Sequence, residues 1–261
     1  MPPILEIQNL NVSFLDPQHP GQKIEAVKGV SLAIEEGSFT SVVGESGSGK
    51  SVTSLSITRL AKPHEEAGKI LWRGQNLLSL DEKELLQVRG KEISYVFQDP
   101  ASSLNPVLRV GAQIGEAYRA HFKVSAAEAK KHTLELLLAV QLKDAERVYK
   151  SYPHELSGGM RQRSMIAMAL ITDPKLLIAD EPTTALDADV ETEILKLLLK
   201  IKEDRKLTIF FITHDMAHAV SYSDVIYVMK SGMVVEKISR QAGIFSPKNE
   251  YTKKLFSFLE T

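Results

Sequence analysis

The sequence predicts an α/β fold: a mostly parallel sheet, an antiparallel β side sheet and an inserted α-helical subdomain. Three observations predict it. Short β-prone segments separated by glycine and proline fill the first part of the chain, a helical pattern covers 107–145, and strands alternate with helices again after Pro174. Alternating strands and helices are typical of a parallel sheet, whereas closely spaced early strands favour an antiparallel one.

Before the helical region, five short segments have the character of strands. The clearest is 30–34, where Val30, Leu32 and Ile34 alternate with smaller or polar residues, as in a strand with one buried face. The others are apolar stretches that end at glycine, proline or polar residues. They lie around 4–14 and at 39–43, 69–72 and 93–97.

The later part of the chain predicts a regular succession of elements. Between 190 and 203 the apolar residues fall on one face of a helix, and Asp215 has the character of an N-cap. Lys230-Ser231-Gly232 is expected to join two strands as a hairpin. In order, we expect a strand at 176–179, this helix, a strand at 208–212, a short helix, and strands at 225–229 and 233–236.

Composition excludes several classes of protein. The chain has 261 residues, 43% of them hydrophobic and 25% charged, and a net charge of −1, which excludes disorder and a general basic field for nucleic acid. The absence of cysteine excludes disulfides, thiolate metal sites and cysteine nucleophiles. No apolar run approaches the ~18 residues of a membrane span, and no secretory signal begins the sequence. We therefore expect a cytosolic type of chain.

Residues 44–51 match a phosphate-binding loop at every fixed position. Glycines let successive backbone N–H groups turn towards phosphate oxygens, and the helix that follows adds its own unpaired N–H groups. Lys50 is expected to reach the β- and γ-phosphates, and the Ser51 hydroxyl to complete a Mg²⁺ shell. The predicted nucleotide-binding residues are Gly44, Glu45, Ser46, Gly47, Ser48, Gly49, Lys50 and Ser51.

Two carboxylates, Asp180 and Glu181, directly follow the apolar strand at 176–179. Open α/β sheets bind their ligands at the carboxyl ends of such strands. Asp180 is therefore predicted to hold Mg²⁺, directly or through water, and Glu181 to activate the attacking water as a general base. Without the phosphate loop, a solvated turn before Pro182 would be the simpler interpretation.

A second glycine turn lies between the phosphate loop and the acidic pair, at Leu156-Ser157-Gly158-Gly159-Met160. With these motifs in this order, the chain resembles the nucleotide-binding subunit of an ATP-binding cassette (ABC) transporter over essentially its whole length. The resemblance implies a P-loop NTPase fold with a RecA-like core and the hydrolysis of ATP with Mg²⁺. It places that core, with its antiparallel part, at 1–98 and 157–261, and the helical subdomain at 99–156.

The resemblance also implies roles for individual residues. Phe14 would stack on adenine, Gln98 would sense the metal and the attacking water, and His214 would contact the γ-phosphate. Ser157, Gly158 and Gly159 match the family signature, in which Met160 replaces the usual glutamine. Ala185-Leu186-Asp187 matches the loop that crosses the dimer interface, and Asp187 is counted among the nucleotide-binding residues.

In this family the signature of one subunit faces the phosphate loop of another, so a dimeric catalytic unit is expected. The segments 96–106, 152–163 and 180–187 are similar to the peptide/nickel branch of ABC importers, in particular to the ATPase subunit labelled D. That branch implies a heterodimer with a second ATPase rather than a homodimer. It also implies two transmembrane permease subunits, an external solute-binding protein and a peripheral location on the cytoplasmic face of the membrane.

Several alternatives stay open at this point. Because the tail is short and has no cysteine, uptake of nickel or a metal chelate stays an alternative to uptake of peptides. Only the resemblance to this branch favours import over export. A non-transport ABC ATPase acting on nucleic acid or ribosomes is the main rival. It is disfavoured by the single cassette, the lack of sustained heptads and the near-neutral charge, so no nucleic-acid partner is expected. Another kind of P-loop enzyme, such as a kinase or GTPase, would share the phosphate loop at 44–51 but not the glycine turn or His214.

Overall fold

The computed structural model describes residues 2–184, 186–257 and 259, except the side chain of Ala101. Contacts divide the chain into two units. The first unit consists of residues 1–85 and 208–261, and the second of residues 86–207.

The helices and strands follow one another in this order. The first unit begins with β1 (Leu5–Leu15), β2 (Lys23–Ile34), β3 (Phe39–Val43), α1 (Lys50–Ile57), β4 (Glu65–Trp72), β5 (Gln75–Asn76), a 3₁₀ turn (Leu77–Ser79) and α2 (Glu82–Leu85). The second unit contains β6 (Ile93–Val96), α3 (Pro100–Ser103), α4 (Val110–His121), α5 (Ala126–Ala139), α6 (Ala145–Lys150), a 3₁₀ turn (Pro153–Glu155), α7 (Gly158–Leu170), β7 (Leu176–Asp180) and α8 (Ala188–Arg205). The first unit is completed by β8 (Thr208–Thr213), α9 (Met216–Tyr222), β9 (Val225–Lys230), β10 (Met233–Ser239) and α10 (Glu250–Ser257).

Parallel strands occur in both units, as predicted. In the first unit the strand order is β10-β9-β3-β8, with β3 parallel to β8 and β9, and β10 antiparallel to β9. In the second unit β6 and β7 are parallel. Every residue of β3, β7 and β8 is buried. Strands covered on both faces have no solvated side, which is why β7 and β8 are mostly apolar in sequence.

A second sheet of the first unit is antiparallel and has the strand order β2-β1-β4-β5. The expected strand at 69–72 is the end of β4, which begins earlier, at Glu65. Its polar first half is held in the sheet by pairing with β1, where Ser13 lies opposite Glu65. That partner lies far away in sequence, so local hydrophobicity alone does not reveal the full strand.

The helical pattern predicted for 107–145 becomes separate helices in the second unit. α4 ends at His121, and Ser125 begins α5 by accepting a hydrogen bond from the Glu128 N–H over 3.1 Å. α6 begins in the same way at Asp144, whose carboxylate accepts from the Arg147 N–H. Polar caps therefore divide a segment whose apolar spacing is otherwise continuous.

Two glycines of α4, Gly111 and Gly115, differ in how closely other helices pack against them. A Cβ on Gly111 would lie 2.2 Å from Cδ2 of Tyr149 in α6, whereas a Cβ on Gly115 would find its nearest atom at 3.7 Å. We expect Gly111→Ala to lower the free energy of unfolding by about 1–3 kcal/mol through overpacking. Gly115→Ala is expected to raise it by about 0.5–1 kcal/mol, since alanine favours helix. Urea titration measures both, and equal effects at the two sites would contradict this account of the α4–α6 contact.

Candidate active site

The phosphate loop connects β3 to α1 in the first unit. Gly44, Gly47 and Gly49 have φ values of 154°, 76° and 98°, a region that side chains other than glycine rarely adopt. A Cβ on Gly44 would lie 2.2 Å from the carbonyl oxygen of Met229, and one on Gly49 would lie 2.5 Å from that of Ala26. The neighbouring backbone therefore approaches so closely that only glycine fits at these two positions.

Lys50 is the first residue of α1, and its side chain turns back into the loop. The residue is 5% exposed, and its Nζ donates hydrogen bonds to the carbonyl oxygens of Gly44 at 2.8 Å and Glu45 at 3.0 Å. Nearby, the Ser48 hydroxyl is buried without a hydrogen-bond partner among the described residues. A buried cation, an unsatisfied hydroxyl and inward-turned backbone fit the oxygens of a phosphate group.

The first unit also contains His214 and Phe14. β3 and β8 are parallel, with Val43 opposite Thr213, so the phosphate loop and His214 follow adjacent strand ends. His214 is exposed, and the next residue, Asp215, caps α9 by accepting from the His218 N–H at 3.1 Å. Phe14 is half-buried near the end of β1. The structure thus brings His214 to the same sheet edge as the loop.

The acidic pair lies at the end of β7 in the second unit. Asp180 is 7% exposed, and its Oδ2 accepts a 2.7 Å hydrogen bond from the hydroxyl of Tyr95 in the paired strand β6. Glu181 follows at φ 45°, an uncommon backbone conformation for a non-glycine residue. A buried strand therefore sets the position of Asp180, and the turn directs Glu181 away from the line of that strand.

Gln98 and Glu181 are brought into contact. Gln98 follows β6, and its Nε2 donates to Oε2 of Glu181 at 3.2 Å, while the Thr184 hydroxyl donates to the same oxygen at 3.0 Å. Two donors thus orient one carboxylate. A carboxylate fixed in this way at a strand end is suited to accept a proton from water.

The glycine turn begins α7, as predicted. The Ser157 hydroxyl is the N-cap and accepts from the Met160 N–H at 3.3 Å. A Cβ on Gly159 would lie 2.8 Å from Cγ1 of Val190 in α8, so the absence of a side chain permits close packing there. Ser157 itself is exposed, which leaves this helix start accessible.

Asp187 begins the neighbouring helix of the second unit. Its Oδ1 accepts from the Val190 N–H at 3.0 Å, which makes it the N-cap of α8. Ala185, in the loop before it, lies outside the described residues. The starts of α7 and α8 are close, because a Cβ on Gly158 would lie 3.6 Å from Leu186. The role of Asp187 in nucleotide binding stays a prediction.

Sequence reasoning missed Tyr95 and Thr184, the two hydroxyls that orient the acidic pair. Thr184 follows Glu181 closely in sequence, so a turn prediction over 181–184 would have found it. Tyr95 was harder to find, because nothing in the sequence of β6 singles it out. Only the pairing of β6 with β7 brings its hydroxyl to Asp180.

Comparison with protein families gives a match to the model described as ABC transporter over residues 27–184. The chain is 43% identical to the oligopeptide transport ATP-binding protein OppD of Bacillus subtilis (strain 168), over 99% of this chain and 72% of the relative. It is also 43% identical to the dipeptide transport ATP-binding protein DppD of the same organism, over 98% of this chain and 76% of the relative.

Among solved structures, the chain is similar to a dimeric post-hydrolysis state of the ATP-binding cassette MJ0796 bound to ADP and Pi. The TM-score is 0.81 and the sequence identity 32%, with 91% of this chain and 99% of the other covered. In the described part of this chain, no helix combines the length and apolarity needed to cross a bilayer.

The family match spans the phosphate loop, the glycine turn and the acidic pair, and the matches to the two relatives cover nearly all of this chain. The chain therefore belongs to the ABC transporter family and is an ATP-binding ATPase with that family's P-loop NTPase fold.

Proposed function

We propose that this chain is the ATP-hydrolysing subunit of an ABC importer that takes up peptides through separate membrane subunits. The observation that carries the proposal is the similarity, over nearly all of this chain, to two proteins named for oligopeptide and dipeptide transport. The nickel or metal-chelate alternative has no support of this kind. A non-transport role on nucleic acid or ribosomes is disfavoured by the net charge of −1.

The phosphates of ATP bind to residues 44–51 in this proposal. The buried Lys50 ammonium, already directed into the loop, supplies the positive charge, and the backbone N–H groups accommodate the oxygens. Phe14 stacks on adenine, and His214, at the adjacent strand end, contacts the γ-phosphate. The sheet edge shared with the phosphate loop supports the role of His214, and membership of the family supports both roles.

Hydrolysis depends on Glu181, which takes the proton of the attacking water as general base. Gln98 and Thr184 hold its carboxylate, so that little reorientation accompanies the reaction. Ser51, Gln98 and Asp180 would hold Mg²⁺. Their hydroxyl, amide and carboxylate oxygens are of the type that this ion prefers. When bound, Mg²⁺ neutralises charge on the phosphate oxygens.

The dimer and the membrane partners are also part of the proposal. Ser157, Gly158, Gly159 and Asp187 act on the nucleotide of a second ATPase subunit, and a related but different chain is favoured as that partner. The helical subdomain at 99–156 transmits the energy of ATP hydrolysis to two permease subunits, and the ATPase subunits lie on the cytoplasmic face of the membrane. An external binding protein delivers the solute.

Reconstitution of the intact complex tests the proposal. The ATPase with its membrane subunits is placed in proteoliposomes together with the binding protein, and turnover is measured with di- and oligopeptides or with a nickel chelate. We expect peptides to raise the ATPase rate and labelled peptide to accumulate in the compartment that holds ATP. Stimulation by the nickel chelate alone, movement out of that compartment, or co-purification with nucleic acid instead of membrane proteins would contradict it.

A further inference from the structure

A small cavity lies beside the phosphate loop, within the first unit. Its volume is about 80 Å³, and its walls are loop residues 45–48 together with Lys230, Ser231 and Tyr251. Lys230 is the last residue of β9, Ser231 belongs to the turn between β9 and β10, and Tyr251 belongs to α10. Two elements from the end of the chain therefore meet the loop that begins after β3.

Tyr251 and Lys230 contact each other across this cavity. Nζ of Lys230 lies 4.5 Å from the centroid of the Tyr251 ring, a cation–π distance. The Tyr251 hydroxyl is buried beside Glu45. Burial raises the pKa of the Tyr251 phenol, and the nearby carboxylate of Glu45 acts in the same direction. The phenol therefore stays neutral and keeps its proton beside the loop.

The position of Tyr251 is set by a chain of hydrogen bonds at the start of α10. Its backbone N–H donates to Oδ1 of Asn249 at 2.9 Å. The carboxylate of Glu236 in β10 accepts from the N–H groups of Lys248 at 2.7 Å and Asn249 at 3.2 Å. Tyr251 also packs against the apolar cluster that includes Val43, the last residue before the loop. These hydrogen bonds and this packing together fix the position of Tyr251.

The turn that follows Lys230 is hydrogen-bonded to the same loop. The Gly232 N–H donates to the carbonyl oxygen of Ser48 at 3.0 Å, and the Gly232 carbonyl accepts from the Lys28 N–H at 2.8 Å. The turn is thus hydrogen-bonded to the loop on one side and to β2 on the other. Tyr251 lines the same cavity as this turn and the loop residues.

We propose that Tyr251 and Lys230 form a positioning pair that holds residues 45–48 in their phosphate-binding conformation; this rests on the proposed function of that loop. The tyrosine ring lies beside the loop, Lys230 contacts the ring, and the neutral hydroxyl is near Glu45. A loop ordered before ATP arrives loses less conformational entropy on binding, so the pair contributes to ATP affinity without touching the nucleotide.

Equilibrium binding of a fluorescent ATP analogue with Mg²⁺ to the full chain tests this proposal. We expect Tyr251→Ala to raise Kd about five- to tenfold, and Tyr251→Phe, which keeps the ring, to restore most of the affinity. In the reconstituted complex, KM for ATP should rise while kcat stays within about twofold, because the pair acts on binding alone. A lower kcat with unchanged KM would overturn the proposal.

Leu255→Ala is the matched control, since Leu255 belongs to the same helix and packs on the same cluster without lining the cavity. It is expected to lower Tm and leave Kd within about twofold. An equal rise in Kd for Tyr251→Ala and Leu255→Ala would show that only helix stability matters, and would overturn the proposal.

A double-mutant cycle separates the pair from two independent effects. Lys230→Gln alone is expected to raise Kd about threefold, and to have a smaller effect in the Tyr251→Ala background because the ring is already gone. Full additivity would overturn the proposed pair. If the wild-type chain itself bound no ATP analogue, the proposed function of the loop would fail, which is a different outcome from unchanged binding in the variants.

Discussion

Glu181→Gln is expected to lower ATP turnover about a thousandfold while leaving ATP affinity within about threefold of wild type. Glutamine keeps an amide oxygen that accepts from Gln98 and Thr184, so the two hydrogen bonds at 3.2 Å and 3.0 Å are retained. What it lacks is a basic carboxylate. Loss of proton transfer by a positioned general base corresponds to a change of this size, about 4 kcal/mol in the barrier.

Phosphate release by the reconstituted complex and binding of a fluorescent ATP analogue measure the two quantities separately. Glu203→Gln is the matched control, because Glu203 is an exposed carboxylate of the same unit at the end of α8. It should leave both quantities unchanged. Turnover of Glu181→Gln within a few-fold of wild type would remove Glu181 from the role of general base.

The same variant also tests the dimer. If hydrolysis reopens a closed dimer, blocked hydrolysis should let ATP accumulate between the two subunits. We expect the Glu181→Gln complex to retain ATP and to keep its ATPase subunits together during sedimentation, whereas wild type separates them as ATP is consumed. Full turnover by a strictly monomeric chain would contradict this mechanism.

Lys50→Met is expected to weaken ATP binding about a hundredfold and to reduce turnover by at least the same factor. Methionine fills a similar volume but lacks the ammonium that now bonds the Gly44 and Glu45 carbonyl oxygens at 2.8 Å and 3.0 Å. Charge-assisted hydrogen bonds contribute about 1.5–3 kcal/mol each. A buried cation directed at phosphate should therefore account for a large part of the affinity.

Isothermal titration with ATP, and with ADP as a second ligand, measures the change. Lys69→Met is the matched control, since Lys69 is an exposed lysine of β4 in the same unit. Melting of the nucleotide-free variants shows whether the fold is intact. An ATP affinity of Lys50→Met within about threefold of wild type, with Tm unchanged, would contradict the assignment of Lys50 to the phosphates.

Local motifs were the most predictable part of the protein. The loop at 44–51 was found because its chemistry needs consecutive residues, and the structure places it between β3 and α1 with three glycines at positive φ. The N-caps Ser157 and Asp215 were found for the same reason, since a cap acts within three residues of itself. The roles of these residues towards ATP stay predictions.

Features that depend on partners distant in sequence were not predictable. β4 is longer than its apolar part because β1 pairs with its polar half. Tyr95 bonds Asp180 only because β6 and β7 are neighbours. No helix was predicted at 250–257, although Tyr251 in that segment lines the cavity beside the phosphate loop. Hydrophobic periodicity contains no information about which strand or loop lies next to such a residue.

The sequence by itself determined the family, the order of the motifs and the chemistry available at each, because those properties belong to short runs of neighbouring residues. Only the tertiary structure decided how the acidic pair is oriented by Tyr95, Gln98 and Thr184, and which elements line the cavity beside residues 45–48. The physical reason is that hydrogen bonds and packing act over a few ångströms, and folding brings residues to that distance regardless of their separation along the chain.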